Sequence, residues 1–218
     1  LLCGENRDRD GLRLPGKQEE FVDELIATGK PVILVIFGGR AQVVSGLAER
    51  CAAVIQAWYP GEEGGNAVAD ILYGNISPSA KLSVSYPNTE VYEAMCYNYT
   101  AEQDPRVQWP FGYGLSYTTF AYGDIQLPET AKVGDAVKVI VPVTNSGKMD
   151  GDEVVQLYIK KQGDEEGPIK TLRAFKRVHI PGGETVNVEL ELTPKQLEWW
   201  NPETNSVCNV VGTYDILV

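Results

Sequence analysis

Pro31-Val32-Ile33-Leu34-Val35-Ile36-Phe37, followed at once by Gly38-Gly39, is the stretch that decides the first half of the chain. It is an unbroken apolar run rich in β-branched residues. Such a run suits a strand buried on both faces, the situation in a parallel sheet covered by helices. The glycine pair then supplies a tight strand-to-helix turn. Upstream, Phe21, Val22, Leu25 and Ile26 recur at helical spacing between Lys17 and Thr28, with acidic residues opposite. Pro15 marks the approach to this helix, and Gly29 stands where a helix C-terminal glycine belongs.

Downstream the alternation continues. Residues 41–50 are compatible with a helix, 52–58 read as a second apolar strand, 66–73 as a short helix and 82–86 as a third strand. Strand and helix in alternation argue a parallel, helix-covered sheet. Residues 87–119 interrupt the pattern with three prolines and many tyrosines, and read as an irregular connector that packs through its aromatics.

From Phe120 the texture changes. Residues 136–143, 153–159 and 172–180 read as short strands. Pro181-Gly182-Gly183 is a turn, and Val186-Asn187-Val188-Glu189-Leu190-Glu191-Leu192 alternates strictly with one polar face. Short strands separated by turns read as an antiparallel sandwich of immunoglobulin-like type. The expected fold class is therefore α/β, a partial α/β sandwich with a mainly parallel sheet, followed by an all-β immunoglobulin- or fibronectin III-like sandwich. The expected divisions are 1–86, a connector over 87–120, and 121–218.

Composition narrows the function. The 218 residues carry 19 Lys plus Arg against 30 Asp plus Glu, a net charge of −11. Cut after Phe120, the two parts have charges of −6 and −5, so neither forms a basic lobe. Binding a phosphate backbone needs clustered cations, so nucleic acid is not an expected partner. No apolar run approaches the roughly 20 residues that span a bilayer, and no membrane partner is expected. The four cysteines at 3, 51, 96 and 208 include no close pair, which argues against a zinc site. Cys51, beside an apolar run, reads as a buried free thiol. His179 is the only histidine and lies in a strand-like segment, and no GxSxG elbow is present, which leaves little room for Ser-His-Asp chemistry.

Gly38-Gly39 and Gly64-Gly65 match no phosphate-binding motif, and Glu62-Glu63 would repel an anion; they read as turns, and a nucleotide-binding domain is a remote alternative. Asn75-Ile76-Ser77 and Asn98-Tyr99-Thr100 fit the N-x-[ST] triplet, a pattern common by chance. The chain opens on Leu1-Leu2-Cys3-Gly4-Glu5, an apolar pair running into a polar loop, which reads as the end of a strand begun upstream. The loop Gly4-Glu5-Asn6-Arg7-Asp8-Arg9-Asp10 places a carboxylate just after a strand end, where α/β domains hold working residues. On composition alone the preferred reading is a solvated charged loop.

The order of motifs changes the weighting. Gly4-Glu5-Asn6 with Asp8-Arg9 comes first, then Leu14-Pro15-Gly16 with Gln18, then Gly29-Lys30-Pro31-Val32. Trp58-Tyr59-Pro60-Gly61 with Glu63 and Gly65-Asn66-Ala67 follows, then Ala69-Asp70 with Leu72 and Gly74, Lys81-Leu82, and Pro110-Phe111-Gly112-Tyr113-Gly114-Leu115-Ser116-Tyr117-Thr118. Together they resemble the C-terminal part of glycoside hydrolase family 3, the β-glucosidase family. Asn145-Ser146-Gly147, Glu153-Val154-Val155-Gln156-Leu157-Tyr158, Leu172 with Phe175, and Pro181-Gly182 with Glu184-Thr185 resemble that family's fibronectin type III-like domain. Each motif is weak alone; the ordered set covers nearly the whole chain.

The resemblance implies a retaining β-glycosidase, most simply a β-glucosidase, that needs no cofactor and acts on β-linked oligosaccharides or glycosides. It implies an N-terminal (β/α)8 barrel bearing the Asp nucleophile, as part of the same enzyme or as a partner chain. Glu5 is implied as the general acid/base, with Asp8-Arg9 as the pair that follows it. Arg9 reads as the partner that fixes the loop through Asp8. No counterpart of the nucleophile is present, so the chain alone is expected to be inactive. The alternative is a non-catalytic carbohydrate-binding or scaffolding module of the same fold. There Trp109, Trp199 and Trp200 would stack on sugar rings; packing is the preferred role for all three.

Overall fold

The computed structural model describes residues 11–90, 95–165 and 167–218. Two compact units divide the chain. One takes the residues up to Asn75 together with Lys81–Gly114; the other takes Ile76–Ala80 together with Leu115–Val218.

In the first unit, α1 (Gln18–Ala27) forms where the helical spacing placed it, with Glu19 and Glu20 in its first turn, where acidic groups favour the positive end of the helix dipole. Gly29 ends it with φ of +74°, a conformation natural to glycine. β1 (Ile33–Phe37) then pairs in parallel with β2 (Ala53–Trp58), Leu34 opposite Val54 and Val35 opposite Ile55. Between them lies α2 (Ser45–Ala48), and α3 (Gly64–Leu72) follows β2. The core joins Ile36, Val44 and Tyr86, with Leu34, Val54, Leu82 and Trp109 packed around it.

Three expectations change here. The helix expected over 41–50 shrinks to α2, because Val43 makes a parallel bridge to Arg13 and its N–H donates to the Leu12 carbonyl at 2.9 Å. A backbone used in a ladder cannot also wind a helix. The strand expected over 82–86 is only β3 (Tyr86–Pro87). It pairs antiparallel with β4 (Val107–Trp109) instead of joining β1 and β2. The Leu82 N–H and carbonyl are taken by Tyr113 and Gly112, which closes off a longer ladder. Finally, Ile33 and Phe37 at the two ends of β1 are about half exposed (48% and 56%), not buried on both faces; among the described residues β1 has the single strand partner β2.

The second unit is a sandwich of two antiparallel sheets. β5 (Phe120–Tyr122), β6 (Val137–Asn145) and β9 (Thr185–Leu192) form one, in the order β5-β6-β9. β7 (Gly151–Lys161), β8 (Thr171–Ile180) and β12 (Tyr214–Leu217) form the other, in the order β12-β7-β8. A hairpin of β10 (Glu198–Asn201) and β11 (Ser206–Asn209) brings Trp199 into the core. Period two delivers alternate residues to the interior: Val137, Val139, Val141 and Val143 from β6, and Val188, Leu190 and Leu192 from β9. In β7 the alternation breaks. Leu157, Tyr158 and Ile159 are buried in succession, where the register slips so that Leu157 faces Ala174 and Tyr158 faces Leu172. The extra residue on β8 is Arg173, a β-bulge that turns one side chain out of phase.

Candidate active site

Glu5, together with Arg7, Asp8 and Arg9, lies outside the described residues. The backbone that follows them in sequence is tightly held at Leu12 and Arg13. The Leu12 N–H donates to Glu90 Oε2 at 2.8 Å and the Arg13 N–H to Glu90 Oε1 at 3.1 Å. The Arg13 guanidinium pairs with Glu19 at 3.2 Å, tying the same stretch to the first turn of α1.

The carboxyl ends of β1 and β2, the edge where open α/β sheets place ligands, carry a second cluster. Gly38 N–H donates to the Trp58 carbonyl at 3.1 Å, and Gln56 Nε2 donates to the Gly38 carbonyl at 3.3 Å. Gln56 Oε1 accepts the Tyr86 hydroxyl at 3.0 Å, so one amide joins the strand end to the core. Burial pushes the Tyr86 phenol above its ordinary pKa, which keeps it a neutral donor. A Cβ at Gly39 would meet the exposed Tyr59 ring, which would have to swing aside. Trp58 holds a left-handed φ of +51°, a conformation of a kind that concentrates at functional sites. Gly38-Gly39 thus serves as a turn, whereas Gly64-Gly65, expected as a turn, opens α3; at Gly64 a Cβ would run into the Pro60 ring.

The remaining sequence candidates separate. Trp199 is buried and donates its indole N–H to Asp164 at 2.7 Å, and Trp109 packs edge-on against Tyr86 with ring centres 5.3 Å apart. Trp200 is half exposed, opposite Val207 in the hairpin. His179 lies on β8 with Nδ1 2.7 Å from Asp152, which also takes Arg177. Cys51, Cys96 and Cys208 are free thiols, Cys51 half-buried and Cys96 exposed. Among the described residues no three His, Cys, Asp or Glu side chains come close enough to hold a metal, and no helix is long and apolar enough to cross a membrane.

Two contributors were missed from the sequence. Gln56 had a readable signal, a lone amide inside an apolar strand, which must find partners if it is to be buried. Glu90 had none, since its partners lie 77 and 78 residues away.

A parallel βα unit followed by a fibronectin-like β-sandwich gives the chain a two-part α/β and all-β build. Two family models match in order: the glycosyl hydrolase family 3 C-terminal domain over residues 2–117 and the fibronectin type III-like domain over 153–218. The chain belongs to glycoside hydrolase family 3. It is 44% identical over 217 residues to a xylan 1,4-β-xylosidase of Xylanibacter ruminicola, covering 96% of this chain and 25% of that protein. It is 33% identical to a probable β-glucosidase I of Aspergillus fumigatus, covering 98% of this chain and 28% of the relative. A β-glucosidase structure from Erythrobacter marinus superposes with a TM-score of 0.85 at 36% identity, over 99% of this chain and 30% of that one. The chain therefore spans between a quarter and a third of the length of these relatives.

Proposed function

We propose that this chain is the C-terminal portion of a retaining β-glycosidase, most simply a β-glucosidase, and that Glu5 is its general acid/base. The observation that carries the reading is the family match across residues 2–117, which contains the Gly4-Glu5 segment and its following Asp8-Arg9 pair.

In such a reaction two carboxyl groups stand about 5–5.5 Å apart across the scissile bond. An Asp on a barrel domain, part of the same enzyme or a partner chain, attacks the anomeric carbon. Glu5, protonated, gives its proton to the leaving glycosidic oxygen. It then takes a proton from the water that cleaves the glycosyl-enzyme. Burial of Glu5 in the barrel's cleft would raise its pKa towards this role, and Arg7 and Arg9 would lower it, so the loop must aim both cations elsewhere. A pair between Asp8 and Arg9 would accomplish that for one of them.

The test is reconstitution. The chain alone is expected to hydrolyse no aryl β-glycoside, and joining it to the barrel portion is expected to give activity that Glu5→Ala removes. Turnover by the isolated chain that survives Glu5→Ala would sink the assignment. Since the relatives include both β-glucosidases and a β-xylosidase, the assay uses glucosides and xylosides in parallel. Faster turnover of xylosides would move the substrate class and leave the acid/base role intact.

A further inference from the structure

We propose that Glu90 is a positioning residue of the acid/base loop, fixing the backbone at the loop's exit so that Glu5 meets the leaving oxygen. This rests on the acid/base role given to Glu5 above, and Leu12 follows Glu5 by seven residues.

The geometry is that of a clamp. Both oxygens of one carboxylate are used on two successive backbone N–H groups, of Leu12 at 2.8 Å and of Arg13 at 3.1 Å. Hydrogen bonds to an ionised acceptor are roughly twice as strong as neutral ones, and two in parallel also fix direction. Leu12 is held from its other side as well, because its carbonyl accepts the Val43 N–H at 2.9 Å. Gly11 lies close against the carboxylate: a Cβ at that position would lie 3.2 Å from Glu90 Oε1, so the carboxylate would have to give by a few tenths of an ångström.

The clamp is itself built on a firm base. Glu90 lies just beyond Tyr86, which is buried and hydrogen-bonded to Gln56. Between them, the Asn88 N–H donates to the Arg106 carbonyl at 2.7 Å, its side chain to the Pro105 carbonyl at 2.8 Å, and its own carbonyl accepts Ser45 Oγ at 2.8 Å. Arg106 in turn forks onto Asp104, with Nε–Oδ1 at 2.9 Å and Nη2–Oδ2 at 2.6 Å. A general acid works within about 3 Å of the atom it protonates, and a misplacement of about 1 Å can cost on the order of a hundredfold. A carboxylate that touches no substrate thus controls proton transfer through the backbone it grips.

The test uses the assembly that contains the barrel, with Glu90→Ala, Glu90→Gln, Gly11→Ala and Glu5→Ala compared on two aryl glycosides. Phenyl glycoside needs protonation of its leaving group, and 2,4-dinitrophenyl glycoside does not. For Glu90→Ala we expect kcat/KM on the phenyl substrate to fall by about 10- to 100-fold. On the dinitrophenyl substrate kcat/KM should be nearly unchanged, with a lowered kcat. Glu90→Gln, which keeps one acceptor oxygen, and Gly11→Ala should shift the same ratio by less, and they serve as readouts if Glu90→Ala fails to fold. Equal losses on the two substrates, or no loss in any Glu90 variant, would overturn the positioning role. If Glu5→Ala lacks the leaving-group signature, the acid/base reading itself fails; if Glu5→Ala shows it and the Glu90 variants do not, only the present inference fails.

Discussion

The side-chain amide of Asn145 donates to the carbonyl of Ile180 at 2.9 Å, joining the end of β6 to the end of β8 inside the sandwich. Asn145 is fully buried, and its capacity is filled: a second N–H reaches the Met149 carbonyl at 2.9 Å, while its oxygen accepts from Thr118 at 2.5 Å and from the Gly147 N–H at 3.1 Å. Asn145→Asp would set a carboxylate against two carbonyls and leave both without donors. We expect a loss of about 3 kcal/mol in urea unfolding, given about 1–3 kcal/mol for each orphaned buried group. An unchanged unfolding midpoint would contradict this role.

Tyr122 donates its hydroxyl to the buried Glu153 carboxylate at 2.9 Å. Burial first, then the charge and the hydrogen bond of Glu153, drive the phenol far above its ordinary pKa near 10. A group whose folded pKa is raised contributes stability that is complete below its unfolded pKa and is lost as pH rises towards the folded one. Tyr122→Phe is expected to cost about 1 kcal/mol at pH 7. The difference between wild type and variant should shrink as pH is raised above about 10. Parallel pH–stability curves for the two proteins would exclude the linkage.

On the acid side the informative group is Asp104. The hydrogen bond from the Arg106 side chain, then that from the Arg106 backbone N–H, hold its carboxyl below the usual range. Here the sign reverses: the stabilisation is present above the unfolded carboxyl pKa near 4 and fades as pH falls further. Asp104→Asn should lower the thermal midpoint at pH 7, and the two proteins should converge below about pH 4. A gap that persists in acid would mean that packing, not ionisation, sets the effect.

Thiol chemistry offers a separate check on exposure. Cys96 is exposed, whereas Cys51 is half-buried and burial raises its pKa, which lowers the thiolate fraction. Timed alkylation followed by peptide mass analysis should label Cys96 ahead of Cys51. The reverse order would place Cys51 at an open surface.

How far the sequence could be read follows from how local each signal was. Val186–Leu192 disclosed its strand because every second residue enters one core, and Pro31–Phe37 because a run that apolar has few other uses. The stretch from Ala41 to Val44 misled, since its helix-compatible residues are diverted by the pairing of Val43 with Arg13, a contact between distant parts of the chain. Leu82–Tyr86 misled in the same way: its strand-like residues are engaged by Gly112, Tyr113 and Trp109, which no periodicity announces. Of the candidate site, the acidic loop was legible only as an ordered set of motifs. Glu90 was not legible at all, because the meaning of a carboxylate on a loop depends on which amides fold up against it.

Among the described residues the interiors of the two units hold no buried residue in common: Ile36, Val44 and Tyr86 make one, and the rows of Val137–Val143, Val155–Ile159 and Val188–Leu192 with Ile180 and Trp199 make the other. Leu157 and Ile36 belong to separate clusters of the described residues, and lesions at the two should add within about 0.5 kcal/mol. A volume change in either interior can then be offset by a second substitution within the same cluster, so each interior carries its own set of compensating partners.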